Sequence, residues 1–278
     1  MIMIDDLHFS FDSNEALTGI QLNIEPGSFT VILGRNGSGK STLAKHLNAI
    51  LIPKTGTVTI DNMDTADENV IYDIRECVGM VFQNPESQAI ASIVEDDVAF
   101  GPENLGLCSE EITERVNHAL EACRITDMRY KPISTLSGGQ KQLAAIAGIV
   151  AMRPGYMVVD EGTSMLDPSS RKHVLDCVKE LRNELGIAII WITHYMDEAV
   201  SADRVIITDK GRIIKDGTPK DIFSDYALIS RSGLELPECT KLALMLRNEG
   251  YNVPVLPLTP AECAGLLINI IQGKEKGI

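Results

Sequence analysis

Phe29-Thr30-Val31-Ile32-Leu33-Gly34-Arg35-Asn36-Gly37-Ser38-Gly39-Lys40-Ser41-Thr42 is the stretch whose reading decides the fold. Phe29 to Leu33 is apolar and rich in β-branched residues, as a buried parallel strand requires. The next eight residues fit G-x-x-x-x-G-K-[ST]. Its glycines let the backbone curl so that consecutive N–H groups face anionic oxygens. Lys40 then reaches the β- and γ-phosphates of a nucleotide as a compact positive charge, and Ser41 can hold Mg²⁺. The helix expected from Lys40 to about Leu51 adds its positive end. A dinucleotide fingerprint is excluded, because Gly34, Gly37 and Gly39 have the wrong spacing for G-x-G-x-x-G.

Downstream, Met157-Val158-Val159 leads into Asp160-Glu161. An apolar run ending in two acids reads as a buried strand that delivers carboxylates to its C-terminal edge, where open α/β sheets bind ligands. Asp160 is expected to organise Mg²⁺. Glu161 is the candidate general base for an attacking water. Such a pair is common, and it gains meaning from the phosphate loop upstream. Asp167-Pro168 reads as the capped start of a helix. Ile187 to Thr193 reads as another buried strand with His194 at its mouth, placed to sense a γ-phosphate. His8, His46, His118 and His173 have no such placement. Leu136-Ser137-Gly138-Gly139-Gln140 precedes a helical stretch to Ala151, so a hydroxyl and two glycines sit at a helix start, a second anion site.

With these motifs in this order, the chain resembles the nucleotide-binding subunits of ABC transporters over about residues 1–225. The resemblance implies that the two half-sites come from opposite subunits, so that ATP closes a head-to-tail dimer. It also implies roles for matching residues. Gln83, after Val81-Phe82, would contact Mg²⁺ and the attacking water. Glu161 would be the base, Asp167 an interface aspartate, His194 a switch histidine, and Phe11 the aromatic stacked on adenine. Phe9 and Phe11 could equally be core residues on one strand face. Asn84-Pro85-Glu86-Ser87-Gln88, Val94 to Asn104 and Asp160 to Pro168 are similar to the energy-coupling-factor branch. There two ATPases, identical or paralogous, drive a transmembrane coupling protein that serves a membrane substrate-capture protein for vitamins or for cobalt or nickel ions. Three positions depart from the pattern: Leu143 stands for Arg, Gly162 for Ala or Pro, and Phe11 for Tyr.

The expected fold is α/β, a P-loop NTPase core with a mostly parallel sheet, an antiparallel β start and a helical signature subdomain at about residues 84–150. A small C-terminal appendage at residues 226–278 is expected to contact the partner ATPase. Pro237 to Glu249 and Thr259 to Gln272 should be its helices, packed through Leu242, Leu246, Leu266, Leu267 and Ile270. The 278 residues carry a net charge of −14, and no basic footprint for nucleic acid appears. No apolar run approaches the length of a membrane span, and the first residues lack the basic region of a signal peptide. The six cysteines show no C-x-x-C spacing and read as reduced thiols. A place on the cytoplasmic face of a membrane suits the acidic charge, since cytoplasmic loops of membrane proteins are rich in Lys and Arg. Glu86, Glu95, Asp96, Asp97 and Glu103 form a local cluster that could receive such a loop. The rival reading is a soluble ABC ATPase of DNA repair or the ribosome, which would show long insertions, a second cassette or basic surfaces.

Overall fold

In the computed structural model, which describes residues 1–273, the chain opens with antiparallel strands β1 (Ile2–Phe11) and β2 (Asn14–Ile24). Next come β3 (Phe29–Gly34), α1 (Lys40–Leu47), β4 (Thr55–Ile60), β5 (Met63–Asp64), α2 (Ile71–Cys77) and β6 (Val78–Val81). A helical stretch follows: α3 (Pro85–Gln88), α4 (Val94–Asn104), α5 (Ser109–Ala122) and α6 (Gly138–Ala151). Then β7 (Tyr156–Asp160), α7 (Pro168–Leu185), β8 (Ala188–Thr193), α8 (Met196–Ala199), β9 (Arg204–Asp209) and β10 (Arg212–Gly217) complete the sheets. The described chain ends in α9 (Pro219–Ser224), α10 (Tyr226–Arg231), α11 (Glu238–Asn248) and α12 (Pro260–Ile271).

One sheet is antiparallel, in the order β2-β1-β4-β5. The other runs β10-β9-β3-β8-β7-β6 and is parallel except for β10. β3, β7 and β8 are buried along their whole length, which is why they read as continuous apolar runs. Their side chains still alternate between two cores. Val31, Val159 and Trp191 face the cluster shared with α4 to α7, while Ile32, Val158 and Ile190 face the one shared with α1 and the antiparallel sheet. Both layers therefore clamp the parallel sheet, and its C-terminal edge is left to hold the functional groups.

α1 ends at Leu47, a turn earlier than the apolar pattern suggests. Ala49 takes a left-handed φ of 50°, and the Asn48 side chain donates to the Val78 carbonyl. The chain is thereby turned toward β4. In the tail both expected helices form, but the large side chains expected to pack them do not make the tight contacts. Leu242 is 41% exposed, and Leu246, Leu266, Leu267 and Ile270 are only half-buried. Thr240, Ala243, Val253, Leu258 and Cys263 are among its buried residues. Small side chains let α11 and α12 lie close, with the Thr240 hydroxyl donating to the Pro257 carbonyl at 2.7 Å. Among the described residues no helix is long and apolar enough to cross a membrane, and all six cysteines are free.

Candidate nucleotide site

β3 delivers the loop Gly34–Gly39 to the sheet edge, and α1 begins at Lys40. Gly39 sits at a φ of 100°, and a Cβ there would lie 2.7 Å from the Ala16 carbonyl oxygen. Only glycine allows that turn against β2. Lys40 is 4% exposed. Its Nζ donates to the carbonyls of Gly34 at 2.9 Å and Arg35 at 3.1 Å and lies 3.8 Å from Glu161 Oε1. Burial lowers its pKa, and the charges of Glu161 and Asp160 oppose that shift. Ser38 is pinned below the loop, its Oγ 2.9 Å from Thr208 Oγ1.

Asp160, at the end of β7, is 6% exposed and accepts from Ser41 Oγ at 3.0 Å. Burial raises its pKa, and the Ser41 hydrogen bond and the Lys40 charge only partly oppose that. Glu161 turns out of the strand with a left-handed φ of 51°, its N–H bound to the Ile192 carbonyl of β8. A non-glycine residue in that region costs about 1–2 kcal/mol. The turn aims the carboxylate over the phosphate loop. Gln83 Nε2 donates to Glu161 Oε2 at 3.0 Å, so the second residue past β6 meets the first residue past β7. A cavity of about 300 Å³ is lined by Asn36, Gly37, Gly39, Lys40, Ser41, Thr42, Gln83 and Glu161. A larger cleft of about 900 Å³ adjoins it, with Gly34, Arg35, Gln83, Glu161 and His194 in its walls. His194 is exposed, its ring packed on Tyr195 at 4.2 Å between centroids.

The structure thus brings the phosphate loop, Gln83, Asp160, Glu161 and His194 to one edge. It does not bring the other candidates there. Ser137 and Gly138 lie exposed at the N-terminus of α6, where Ser137 and Gln140 form a capping box, and they line neither cavity. Beside them, a Cβ on Gly138 would meet Leu166 at 3.2 Å and one on Gly139 would meet Ser170 at 3.0 Å. Asp167, exposed in the same patch, caps α7 by accepting from the N–H groups of Ser169 and Ser170. The Ser170 hydroxyl first, and then these N–H groups, hold its pKa low. Phe11 is 49% exposed and touches Phe9 edge-on at 5.0 Å, and Phe9 packs in turn on buried His46. Phe9 is therefore the core member of the pair and Phe11 the free one.

Two departures from the motif pattern have physical reasons. Leu143 is 3% exposed and closes the apolar cluster behind α6. A Cβ on Gly162 would stand 2.7 Å from both Gln142 Nε2 and Val159 Cγ1, so the glycine admits the fully buried Gln142 side chain beneath Glu161. In the acidic cluster, Glu86 pairs with Lys141 at 2.6 Å, Glu95 with Arg129 at 2.5 Å, and Asp97 accepts from the N–H groups of Ile90 and Ala91. Asp96 and Glu103 remain exposed. Ser164, within the Asp160 to Pro168 motif, had no role assigned from the sequence, and its Oγ lies 3.5 Å from Gln83 Nε2. Arg171 and Glu198, which lie behind this edge, belong to no motif that could mark them. Tyr195 was findable only as the neighbour of His194.

A family model described as ABC transporter matches residues 17–164. The energy-coupling factor transporter ATP-binding protein EcfA1 of Clostridium novyi (strain NT) is 51% identical over 259 residues, 93% of this chain and 92% of that protein. The structure of cbiO1 from Clostridium perfringens, described as part of the ABC transporter complex cbiONQ, superposes with a TM-score of 0.77. It is 37% identical and covers 88% of this chain and 98% of its own. The ATP-binding cassette MJ0796, in a dimeric post-hydrolysis state bound to ADP and Pi, gives 0.70 at 26% identity, covering 79% of this chain and 99% of its own.

Proposed function

This chain belongs to the ABC transporter family, among the energy-coupling factor transporter ATP-binding proteins, and from that premise we propose that it powers a membrane importer of vitamins or transition-metal ions. Its activity is ATP hydrolysis coupled to transport. Phosphoryl transfer asks for positioning and charge neutralisation more than covalent chemistry. The amides of Gly34 to Thr42 and the Lys40 ammonium hold the triphosphate. Glu161, oriented by its left-handed backbone and by Gln83, polarises the attacking water, and His194 holds the far side of the γ-phosphate. Ser41, Gln83 and Asp160 would hold Mg²⁺, which would neutralise phosphate charge. A buried carboxylate beside a hydroxyl suits a hard cation. Phe11 stacks on the adenine from its exposed position.

One observation carries this reading. The signature residues Ser137 to Gln140 and the cap Asp167 share one patch that lies apart from the chain's own phosphate cavity. A second ATPase subunit, an identical copy or a paralogue, therefore completes each site. Residues 1–225 form the cassette, and residues 226–278 contact that second subunit. The transmembrane coupling subunit, which carries a membrane substrate-capture subunit, docks beside Gln83 at the cytoplasmic face. There Asp96 and Glu103 are the acids free to meet basic residues.

Extraction of the native complex in mild detergent tests the proposal. An integral membrane protein and a second ATPase should come down with the chain, and Lys40→Ala should abolish ATP binding in the recovered complex. An active ATPase recovered without any membrane protein would contradict the importer.

A further inference from the structure

Behind the proposed catalytic edge lies a carboxylate that the hydrolysis scheme does not use. Glu198, on α8, is 3% exposed. One of its oxygens accepts from the Thr163 hydroxyl at 2.7 Å and the other from the Trp191 indole N–H at 2.8 Å. Arg171 Nε stands 3.9 Å away. A carboxylate placed so deep is tolerated only where donors and an opposite charge surround it. Both of its neutral donors are themselves buried, Thr163 at 1% exposure and Trp191 at 0%.

Each partner belongs to a different working segment. Thr163 lies two residues after Glu161, in the turn that aims the proposed base. Trp191 is on β8, three residues before His194. Arg171 lies one turn into α7, its N–H bound to the carbonyl of Asp167 at 2.9 Å. The Arg171 guanidinium also sits 3.4 Å above the centre of the Tyr195 ring, and that ring packs on His194. The base loop, the histidine strand and the helix capped by Asp167 therefore meet at one buried group.

We propose that Glu198 is a positioning residue for ATP hydrolysis, fixing Glu161 and His194 in one frame and tying that frame to the interface helix through Arg171. This rests on the hydrolytic roles proposed for Glu161 and His194. When a partner subunit seats against Asp167, the displacement of α7 reaches both groups through Arg171 and Glu198. Side chains whose geometry must hold to a fraction of an ångström need such support behind them.

Two near-isosteric changes test it in the full complex. Glu198→Gln keeps an acceptor for Trp191 and removes the charge facing Arg171. Thr163→Val removes one hydroxyl and leaves Glu198 in place. Both variants should keep the wild-type melting temperature within a few degrees and the wild-type KM for ATP within about twofold, while kcat falls about tenfold or more. The double variant should be no slower than Glu198→Gln alone, since both changes break one linkage. Wild-type kcat in folded single variants would overturn the proposal, as would a loss of kcat that only tracks the loss of folded protein. Additive losses in the double variant would overturn it too. Glu161→Gln, measured alongside, separates the two readings. If that variant hydrolyses ATP at the wild-type rate, the assigned base is wrong and Glu198 loses its stated purpose. If it is inactive and Glu198→Gln is not, only the Glu198 inference fails.

Discussion

Asp160 sits where its charge is costly. Burial pushes its pKa up, so the folded chain binds a proton there more readily than the unfolded chain does. The sign follows from linkage. The destabilisation is complete above the raised folded-state value and vanishes as pH falls below the ordinary carboxylate range. Asp160→Asn should therefore raise the melting temperature of nucleotide-free protein at neutral pH, and the gain should disappear in acid. ATPase activity should fall in the same variant, the trade expected where a site stores unfavourable charge for function. Thermal melts of both proteins across pH, beside turnover, read the two effects. Legibility was uneven at this scale. Lys40, Ser41, Asp160 and Glu161 were readable because their chemistry is tied to fixed spacing or to a strand end. Gln83 was visible only through resemblance, since a glutamine after two apolar residues carries no pattern of its own. Glu198 and Gln142 were invisible, because nothing local shows a helix residue which distant hydroxyl or glycine it will meet.

Helix starts were the most legible elements. Ser137-Gly138-Gly139 reads as a helix start, and α6 begins there, where the structure adds a capping box between Ser137 and Gln140. The Gln140 N–H reaches Ser137 Oγ at 3.4 Å, a long bond, so the cap is worth the low end of its class. Ser137→Ala should cost about 0.5–1 kcal/mol of stability in denaturant titrations. On the proposed function it should reduce hydrolysis far more than it reduces ATP binding by the separated chain, because the hydroxyl serves the partner's nucleotide. Equal loss of both would place Ser137 in its own chain's site. Fully buried strands were also readable, since continuous apolar runs leave little alternative. The end of α1 and the packing of α11 on α12 were not. The first depends on Asn48 finding a carbonyl on β6, and the second on small residues at a contact whose partner lies some twenty positions away.

Across the whole molecule the decisive fact is a separation. The two proposed phosphate-binding half-sites, the loop at Gly34 to Thr42 and the helix tip at Ser137 to Gln140, are presented on different parts of one chain. The sequence displays both motifs but not their distance, because separation in space depends on how the helical stretch between β6 and β7 folds back. The account predicts that nucleotide is shared between subunits. Glu161→Gln, which should slow turnover about a hundredfold or more while sparing ATP affinity, traps that state. Small-angle scattering of this variant with its natural second ATPase, ATP and Mg²⁺ is the direct measurement. A closed pair that dissociates when ATP is withdrawn is the predicted result. Separate protomers at saturating ATP would contradict it.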